Sequence, residues 1–91
     1  MPPRKLYKIG EVIRYSGVKR QTLHNYTMMG LIREAERTDS GHRLYDESVF
    51  ARLEKIAMLR RHRSLREVQE TLAKEDAEAA REKETAPAKK E

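Results

Sequence analysis

Two short helices joined by a glycine turn are the feature that most constrains the fold of this 91-residue chain. Apolar residues recur at helical spacing in residues 9–15 and again in residues 19–29, which predicts one amphipathic helix in each range. The inward positions are Ile9, Val12 and Ile13 in the first helix and Leu23 and Tyr26 in the second. Gly17 lies between the helices and readily adopts the positive φ that ends a helix. The pattern therefore predicts a helix-turn-helix.

A basic hairpin is predicted directly after the second helix. Gly30 is a suitable residue to end that helix, and Leu31 and Ile32 begin an extended segment. The turn residues are Thr38, Asp39, Ser40 and Gly41, after which Arg43, Leu44 and Tyr45 return as a second strand. Two strands cannot stand alone in water, so the hairpin must pack against the helices.

Two further helices complete the predicted domain. Asp46 is the expected N-cap of a third helix that extends to about residue 61. Its apolar stripe consists of Val49, Phe50, Leu53, Ile56 and Ala57. Ser64 and Glu67 form the capping-box pattern of a fourth helix, whose inward residues are Leu65, Val68 and Leu72. We expect a flexible basic arm over residues 1–6, a folded domain over residues 7–74, and a charged, largely disordered tail over residues 75–91.

All of the net positive charge lies in the first half of the chain. Residues 1–45 hold nine Lys and Arg against four Asp and Glu, whereas residues 46–91 hold eleven of each. The net charge of +5 and the isoelectric point of about 9.7 are within the range of nucleic-acid binders. A surface charged only for solubility more often spreads its charge over both halves. The distribution favours an anionic partner for the helix-turn-helix half.

Composition argues against several other classes of protein. There is no cysteine, so a disulfide framework or a thiolate metal site is impossible. The three histidines lack a second histidine at the i, i+4 spacing, and the sequence has no phosphate loop and no acid/base constellation. We therefore expect no catalytic residues, no metal and no cofactor. No stretch approaches the roughly 20 apolar residues of a membrane span and no signal peptide is recognisable, so we expect a cytoplasmic protein on the nucleoid.

Six short motifs, in order and at matching spacing, resemble the DNA-binding domain of the MerR family of bacterial transcription regulators. They are Tyr7-Lys8-Ile9-Gly10-Glu11, Gly17-Val18, Thr22-Leu23-His24-Asn25-Tyr26, Gly30-Leu31-Ile32, Gly41-His42-Arg43-Leu44-Tyr45 and Ser64-Leu65-Arg66-Glu67-Val68. The resemblance covers residues 7–74. It implies a mainly helical fold, in which a winged helix-turn-helix with a short two-stranded wing precedes a helix pair, and sequence-specific binding to double-stranded DNA that regulates transcription.

The sequence departs from the family pattern where bases are read. His24-Asn25-Tyr26-Thr27 stands where family members usually have Arg-Tyr-Tyr-Glu, and Gln21 replaces a frequent Arg. Lys8 replaces the usual Thr, and Arg60-Arg61-His62-Arg63 replaces a Leu-Gly-Phe linker. The long coiled-coil helix and effector domain typical of the family are also absent from the pattern. We expect self-association either on DNA or through a region outside this chain.

Three groups of residues are candidates for DNA contact. In the second helix they are Lys19, Arg20, Gln21, Thr22, His24, Asn25 and Tyr26. In the wing they are Arg37, His42 and Arg43, and flanking phosphate contacts are expected from Lys8, Arg60, Arg61 and Arg63. Asn and Gln can bond adenine bidentately, whereas the planar guanidinium of Arg suits phosphate.

Each group also has a purely structural explanation. The polar helix face could be ordinary solvated surface, and the wing arginines could protect an edge strand from aggregation. Two other functions use the same features. One is a DNA-architectural, excisionase-like factor that bends DNA, and the other is a protein-interaction module in which the helix pair binds an acidic partner.

Overall fold

Four helices and a small antiparallel sheet make up the part of the chain that the structure describes. The structure is a computed structural model that describes the backbone of residues 5–90 and the side chains of residues 5–82. The elements in chain order are β1 (Leu6–Lys8), α1 (Ile9–Ser16), α2 (Arg20–Met28), β2 (Glu36–Arg37), β3 (Arg43–Asp46), α3 (Ser48–Leu59) and α4 (Leu65–Lys90). The mainly helical fold class with a β-wing is confirmed. Among the described helices, none is long and apolar enough to cross a membrane.

The turn between α1 and α2 forms as the sequence predicts. Gly17 has a φ of 76°, and its amide donates to the carbonyl of Ile13 at 2.8 Å, which closes the last turn of α1. The hydroxyl of Ser16 accepts a hydrogen bond from the amide of Val18 at 3.1 Å, which fixes the direction in which the chain enters α2. Gly30, with a φ of 79°, follows α2 in the same way.

The sheet has three strands where the sequence predicts two. Its order is β1–β3–β2, and both pairings are antiparallel. Leu6, expected in a flexible arm, instead pairs with Asp46, because β1 hydrogen-bonds to the edge of β3 that the hairpin leaves open. The rest of the predicted arm, residues 1–4, lies outside the described residues.

The expected strand at Leu31 and Ile32 is wrong in position. Both residues are buried in a bend, and β2 begins only at Glu36. The amides of Leu31 and Ile32 donate to the carbonyl of Tyr26 at 2.9 and 3.4 Å, so the chain wraps over the end of α2 before it extends. Burial of these two side chains under the helices stabilises the bend in place of the strand.

One hydrophobic core joins all the helices to the sheet. Its fully buried members are Val12, Leu23, Leu31, Tyr45, Ile56, Val68 and Leu72. Tyr45 is 1% exposed and comes from β3, so the wing hairpin is attached to the helices through the core. Of the predicted third-helix stripe, Ala57 is exposed, whereas Val49, Leu53 and Ile56 are buried.

The buried hydroxyl of Tyr45 is bonded to α2. It lies 3.0 Å from the hydroxyl of Thr27, which itself donates to the carbonyl of Leu23 at 2.8 Å. Because the proton of Thr27 is used on that carbonyl, Tyr45 must be the donor in the bond between the two hydroxyls. The wing and α2 are therefore joined by a directional contact as well as by packing.

The caps of α3 and α4 agree with the sequence in chemistry. Asp46 is the predicted N-cap of the third helix, and the helix begins two residues later, at Ser48. The carboxylate of Asp46 accepts a hydrogen bond from the amide of Ser48 at 2.9 Å. The capping box of α4 is confirmed, since Ser64 and Glu67 exchange backbone-to-side-chain bonds of 2.9 and 3.1 Å. α3 ends at Leu59, slightly before the predicted residue 61.

The boundary expected after residue 74 is not a structural boundary. α4 continues to Lys90, and the first residues past 74 contact α3. Asp76 accepts a hydrogen bond from Arg52 at 2.8 Å, and Glu75 accepts one from Lys55 at 2.6 Å. Alanine, glutamate, lysine and arginine are strong helix formers, which explains why the helix persists where apolar residues stop.

Two side chains of the helix pair bind the loop that follows α2. Arg52 donates to the carbonyl of Leu31 at 2.6 Å, and Gln69 donates to the carbonyl of Met29 at 3.1 Å. These carbonyls lie beyond the helical hydrogen-bonding pattern and need partners from elsewhere. The exit of α2 is thus fixed to both α3 and α4.

We expect Thr27→Val to destabilise the fold by about 1–3 kcal/mol, because it leaves the buried donor of Tyr45 unsatisfied while nearly preserving side-chain shape. Tyr45→Phe removes the donor itself and should cost less, about 1 kcal/mol. Urea unfolding of both variants and of the double variant measures the coupling. Equal and fully additive costs would contradict the contact.

Candidate nucleic-acid interface

A concave groove lies between the start of α1, the start of α2 and the wing hairpin. Its volume is about 1180 Å³. Of the predicted contact residues, the groove brings together Lys8, Arg20, Gln21, His24, His42 and Arg43. We call this surface the basic groove. Residues more than 30 positions apart in the sequence therefore meet on one side of the domain.

The N-terminus of α2 opens onto this surface without a side-chain cap. Lys19 occupies the N-cap position with φ −71° and ψ 152° but makes no capping bond, and the first turn of α2 holds no acidic residue. The starts of α1, α3 and α4 differ, since carboxylates or hydroxyls from Glu11, Asp46, Ser64 and Glu67 bond to amides there. The exposed side chains of Lys19 and Arg20 add positive charge to an end that is already electropositive. Such an arrangement destabilises the isolated helix and favours an anion.

The predicted base-reading side chains lie mainly on one exposed face. Gln21, His24 and Asn25 are exposed, and Thr22 is half-buried. The side-chain amide of Gln21 donates to the carbonyl oxygen of Asn25 at 3.1 Å. This bond orients both amides along the helix surface. Each retains donor and acceptor capacity, because an amide oxygen has two lone pairs and an amide nitrogen two protons.

Tyr26 is placed in the core with only 8% of its surface exposed. Its ring packs among buried residues, as the i, i+3 spacing from Leu23 predicts. No buried side-chain polar atom lacks a partner among the described residues, so the hydroxyl of Tyr26 reaches the surface. The ring and the hydroxyl therefore meet different surroundings, and a contact from the hydroxyl to phosphate stays a prediction.

The tip of the wing is ordered by its own hydrogen bonds. The amide of His42 donates to the hydroxyl of Thr38 at 3.0 Å, and Ser40 lies within 3.2 Å of Nδ1 of His42. Gly41 has a φ of 91°, which lets the chain reverse direction there. The His42 ring is exposed at the basic groove with its Nδ1 engaged inside the hairpin.

Both wing arginines bond to one carboxylate, that of Glu34, which is not among the predicted contact residues. Nε of Arg37 donates to Glu34 at 2.6 Å, and Nε of Arg43 donates to the same side chain at 2.9 Å. The hydrogen bond from Arg37 is the largest cause that lowers the pKa of Glu34, and Glu34 in turn raises the pKa of Arg37. Glu34 therefore stays ionised. An acid three residues before an arginine was visible in the sequence, but its contact with Arg43 depends on hairpin register.

The residues predicted to make flanking phosphate contacts lie in two places. Lys8 is exposed and lines the basic groove, whereas Arg60, Arg61 and Arg63 are exposed at the α3–α4 junction and do not line it. Arg14 of α1 lines the groove and was missed. A helical wheel gives the signal, because Arg14 lies at i+4 from Gly10 and away from the apolar face of α1.

Within residues 5–82, no group of three or more His, Asp or Glu is placed to hold a metal ion. The basic groove is lined mainly by cationic and hydrogen-bonding side chains, with Glu11 as its carboxylate. Its chemistry suits an extended anion with polar groups beside it.

Comparison with known proteins identifies the same region. Residues 8–45 match the family described as MerR family regulatory protein. The nodulation protein NolA of Bradyrhizobium elkanii is 44% identical over 59 residues, which cover 65% of this chain and 27% of NolA. The mercuric resistance operon regulatory protein of Bacillus cereus is 40% identical over 47 residues, covering 52% of this chain and 36% of that protein. The chain thus spans about a quarter to a third of the length of these relatives.

Solved structures agree with the sequence relatives. MtaN, the N-terminus of the Bacillus subtilis multidrug transporter activator, superimposes with a TM-score of 0.67 at 34% identity, covering 72% of this chain and 63% of MtaN. A MerR-family transcriptional regulator from Bacillus cereus superimposes with a TM-score of 0.66 at 20% identity, covering 92% of this chain and 75% of that one. The second likeness concerns the fold alone.

We expect Lys19→Asp to stabilise the domain by about 1 kcal/mol, because aspartate accepts amide protons at the N-cap and complements the helix dipole. The backbone of Lys19 already has the conformation that a capping residue adopts. The urea midpoint should rise, with Lys74→Asp on α4 as the charge-matched control. An unchanged or lower urea midpoint for Lys19→Asp would show that the start of α2 gains nothing from a capping side chain.

Proposed function

Because this chain carries a MerR-family domain, we propose that it binds double-stranded DNA and regulates transcription. In this proposal α2 enters the major groove, and the wing hairpin lies along the adjacent sugar-phosphate backbone. The observation that carries the proposal is the basic groove, where an uncapped helix start and the wing side chains converge. Several relatives of this chain are named as transcriptional activators or regulators.

The division of labour between the two elements follows from their chemistry. Gln21 and Asn25 offer paired donors and acceptors, which match the edge of adenine in the major groove. Lys19 and Arg20 add cations at the free amides of α2, where a phosphate can receive several hydrogen bonds at once. Arg43 supplies a guanidinium from the wing, whose shape fits a phosphate but reads no sequence.

Useful affinity requires more than one copy. A single small module buries little surface on DNA, so we propose that two copies occupy neighbouring half-sites. The domain then acts in the cytoplasm, on the nucleoid, and works through binding rather than catalysis. Arg60, Arg61 and Arg63 would extend the phosphate contacts beyond the groove.

We expect Asn25→Ala and Gln21→Ala to change which DNA sequences are preferred. Selection from a random duplex pool with the unmodified protein should return a motif, and each variant should lose about 1–3 kcal/mol of discrimination at a base pair of that motif. Met28→Ala, an exposed position at the other end of α2, serves as the control. A pool that yields no motif, or variants that weaken binding equally on random DNA, would count against base reading.

We expect Arg43→Ala to weaken binding to every DNA sequence by a similar factor, roughly tenfold, through loss of a charge-assisted phosphate contact. The slope of log K against log salt should become shallower by about 0.9, the value for one phosphate contact on duplex DNA. Lys74→Ala removes the same charge from α4 and should leave the slope unchanged. A sequence-dependent loss, or a slope equal to that of the unmodified protein, would refute the assignment.

A further inference from the structure

We propose that Glu34 takes the place of a DNA phosphate on the wing, so that it keeps Arg37 away from the duplex and leaves Arg43 to contact the backbone. The inference rests on the proposed DNA-binding function and concerns which wing residue sets its strength. Glu34 is then a positioning residue that limits the number of phosphate contacts.

The two arginines bond to Glu34 differently. Arg37 approaches the carboxylate side-on, with Nε 2.6 Å from one oxygen and Nη2 3.4 Å from the other. Arg43 uses Nε alone, at 2.9 Å, and within residues 5–82 its two Nη groups have no hydrogen-bonding partner. A guanidinium engaged side-on has committed its Nε–H and one Nη–H to the carboxylate, out of five N–H donors. Arg43 therefore keeps both Nη groups free for a phosphate, whereas Arg37 has one of its Nη groups engaged on Glu34.

The geometry of the hairpin explains why a carboxylate is present. Arg37 and Arg43 are directly opposite each other on β2 and β3. Like charges in that position repel and destabilise the pairing of the strands. Glu34 is three residues before Arg37 and its side chain is 27% exposed, so it can bond to both guanidiniums from the loop. In the free protein the carboxylate therefore neutralises half of the charge of the arginine pair.

Binding to DNA brings a second set of anions to the same arginines. A phosphate that takes the side-on donors of Arg37 must displace Glu34, and one that binds the remaining Nη protons must approach a carboxylate of the same sign, which opposes the contact. Arg43 can bind through its Nη groups while its Nε remains on Glu34, and its side chain is ordered in advance. The wing is thus expected to present one effective phosphate-binding arginine.

A purely structural role for Glu34 predicts the opposite result for its neutralisation. If Glu34 served only to hold the hairpin together, Glu34→Gln would loosen the wing and weaken DNA binding. If Glu34 instead keeps Arg37 away from the DNA, the same substitution frees the guanidinium of Arg37 and strengthens DNA binding. Glutamine keeps the size of the side chain and one acceptor oxygen, so the comparison isolates the charge.

The experiment measures duplex affinity across a salt series for the unmodified protein, Glu34→Gln, Arg37→Ala and the double variant. We expect Glu34→Gln to bind roughly two- to fivefold tighter, which is the scale of an exposed ion pair, with a salt slope steeper by up to about 0.9. Arg37→Ala alone should change little. In the Glu34→Gln background it should abolish the gain, so the two substitutions are strongly non-additive.

Asp39→Asn is the matched control, because it removes the same charge from the exposed tip of the same hairpin and bonds to neither arginine among the described residues. A gain from Asp39→Asn equal to that from Glu34→Gln would reduce the effect to general electrostatics and overturn the proposal. So would unchanged or weaker binding by Glu34→Gln at an unchanged urea midpoint. If the unmodified protein binds no duplex at low salt, the proposed function itself is wrong.

Discussion

The contact between the hydroxyls of Tyr45 and Thr27 joins the wing to α2. Tyr45 belongs to the strand that pairs with both of its neighbours, so its side chain fixes the whole sheet in relation to α2. Packing alone would tolerate small sliding movements of the tyrosine ring, but a buried donor with one acceptor permits a single orientation. The basic groove lies between the two elements that this bond joins. The bond itself lies in the core, away from the groove lining.

Much of this arrangement could be predicted from local sequence patterns. Gly17 ends α1 and the Ser64–Glu67 box begins α4 because each depends on residues only a few positions away. β1 was missed because three residues are too short for a periodic pattern, and its pairing depends on the distant edge of β3. The predicted strand at Leu31 is wrong because apolar side chains identify burial but do not distinguish extended chain from a tight loop. In the groove, residues were predicted by type, whereas the link between Glu34 and Arg43 required the register of the hairpin.

Stability and charge are distributed unequally over the four helices. Ser64 and Glu67 form a full capping box at α4, Asp46 accepts the first amide of α3, and Glu11 accepts the amide of Lys8 just before α1. No side chain caps the start of α2, and Lys19 and Arg20 place cations at this N-terminal end, where the helix dipole makes them least favourable. Functional surfaces often retain such locally unfavourable features, because the partner supplies the missing interactions. The pattern distinguishes α2 from its neighbours without reference to any relative.

Arg52 connects the loop after α2 to α4. Its guanidinium donates to the carbonyl of Leu31 and to the carboxylate of Asp76, so one side chain joins the loop leaving α2 to a distant turn of α4. Beyond Asp76, α4 extends for a further 14 residues, about 21 Å of helix at 1.5 Å per residue. A movement of α4 is therefore transmitted through Arg52 to the loop that directly follows α2.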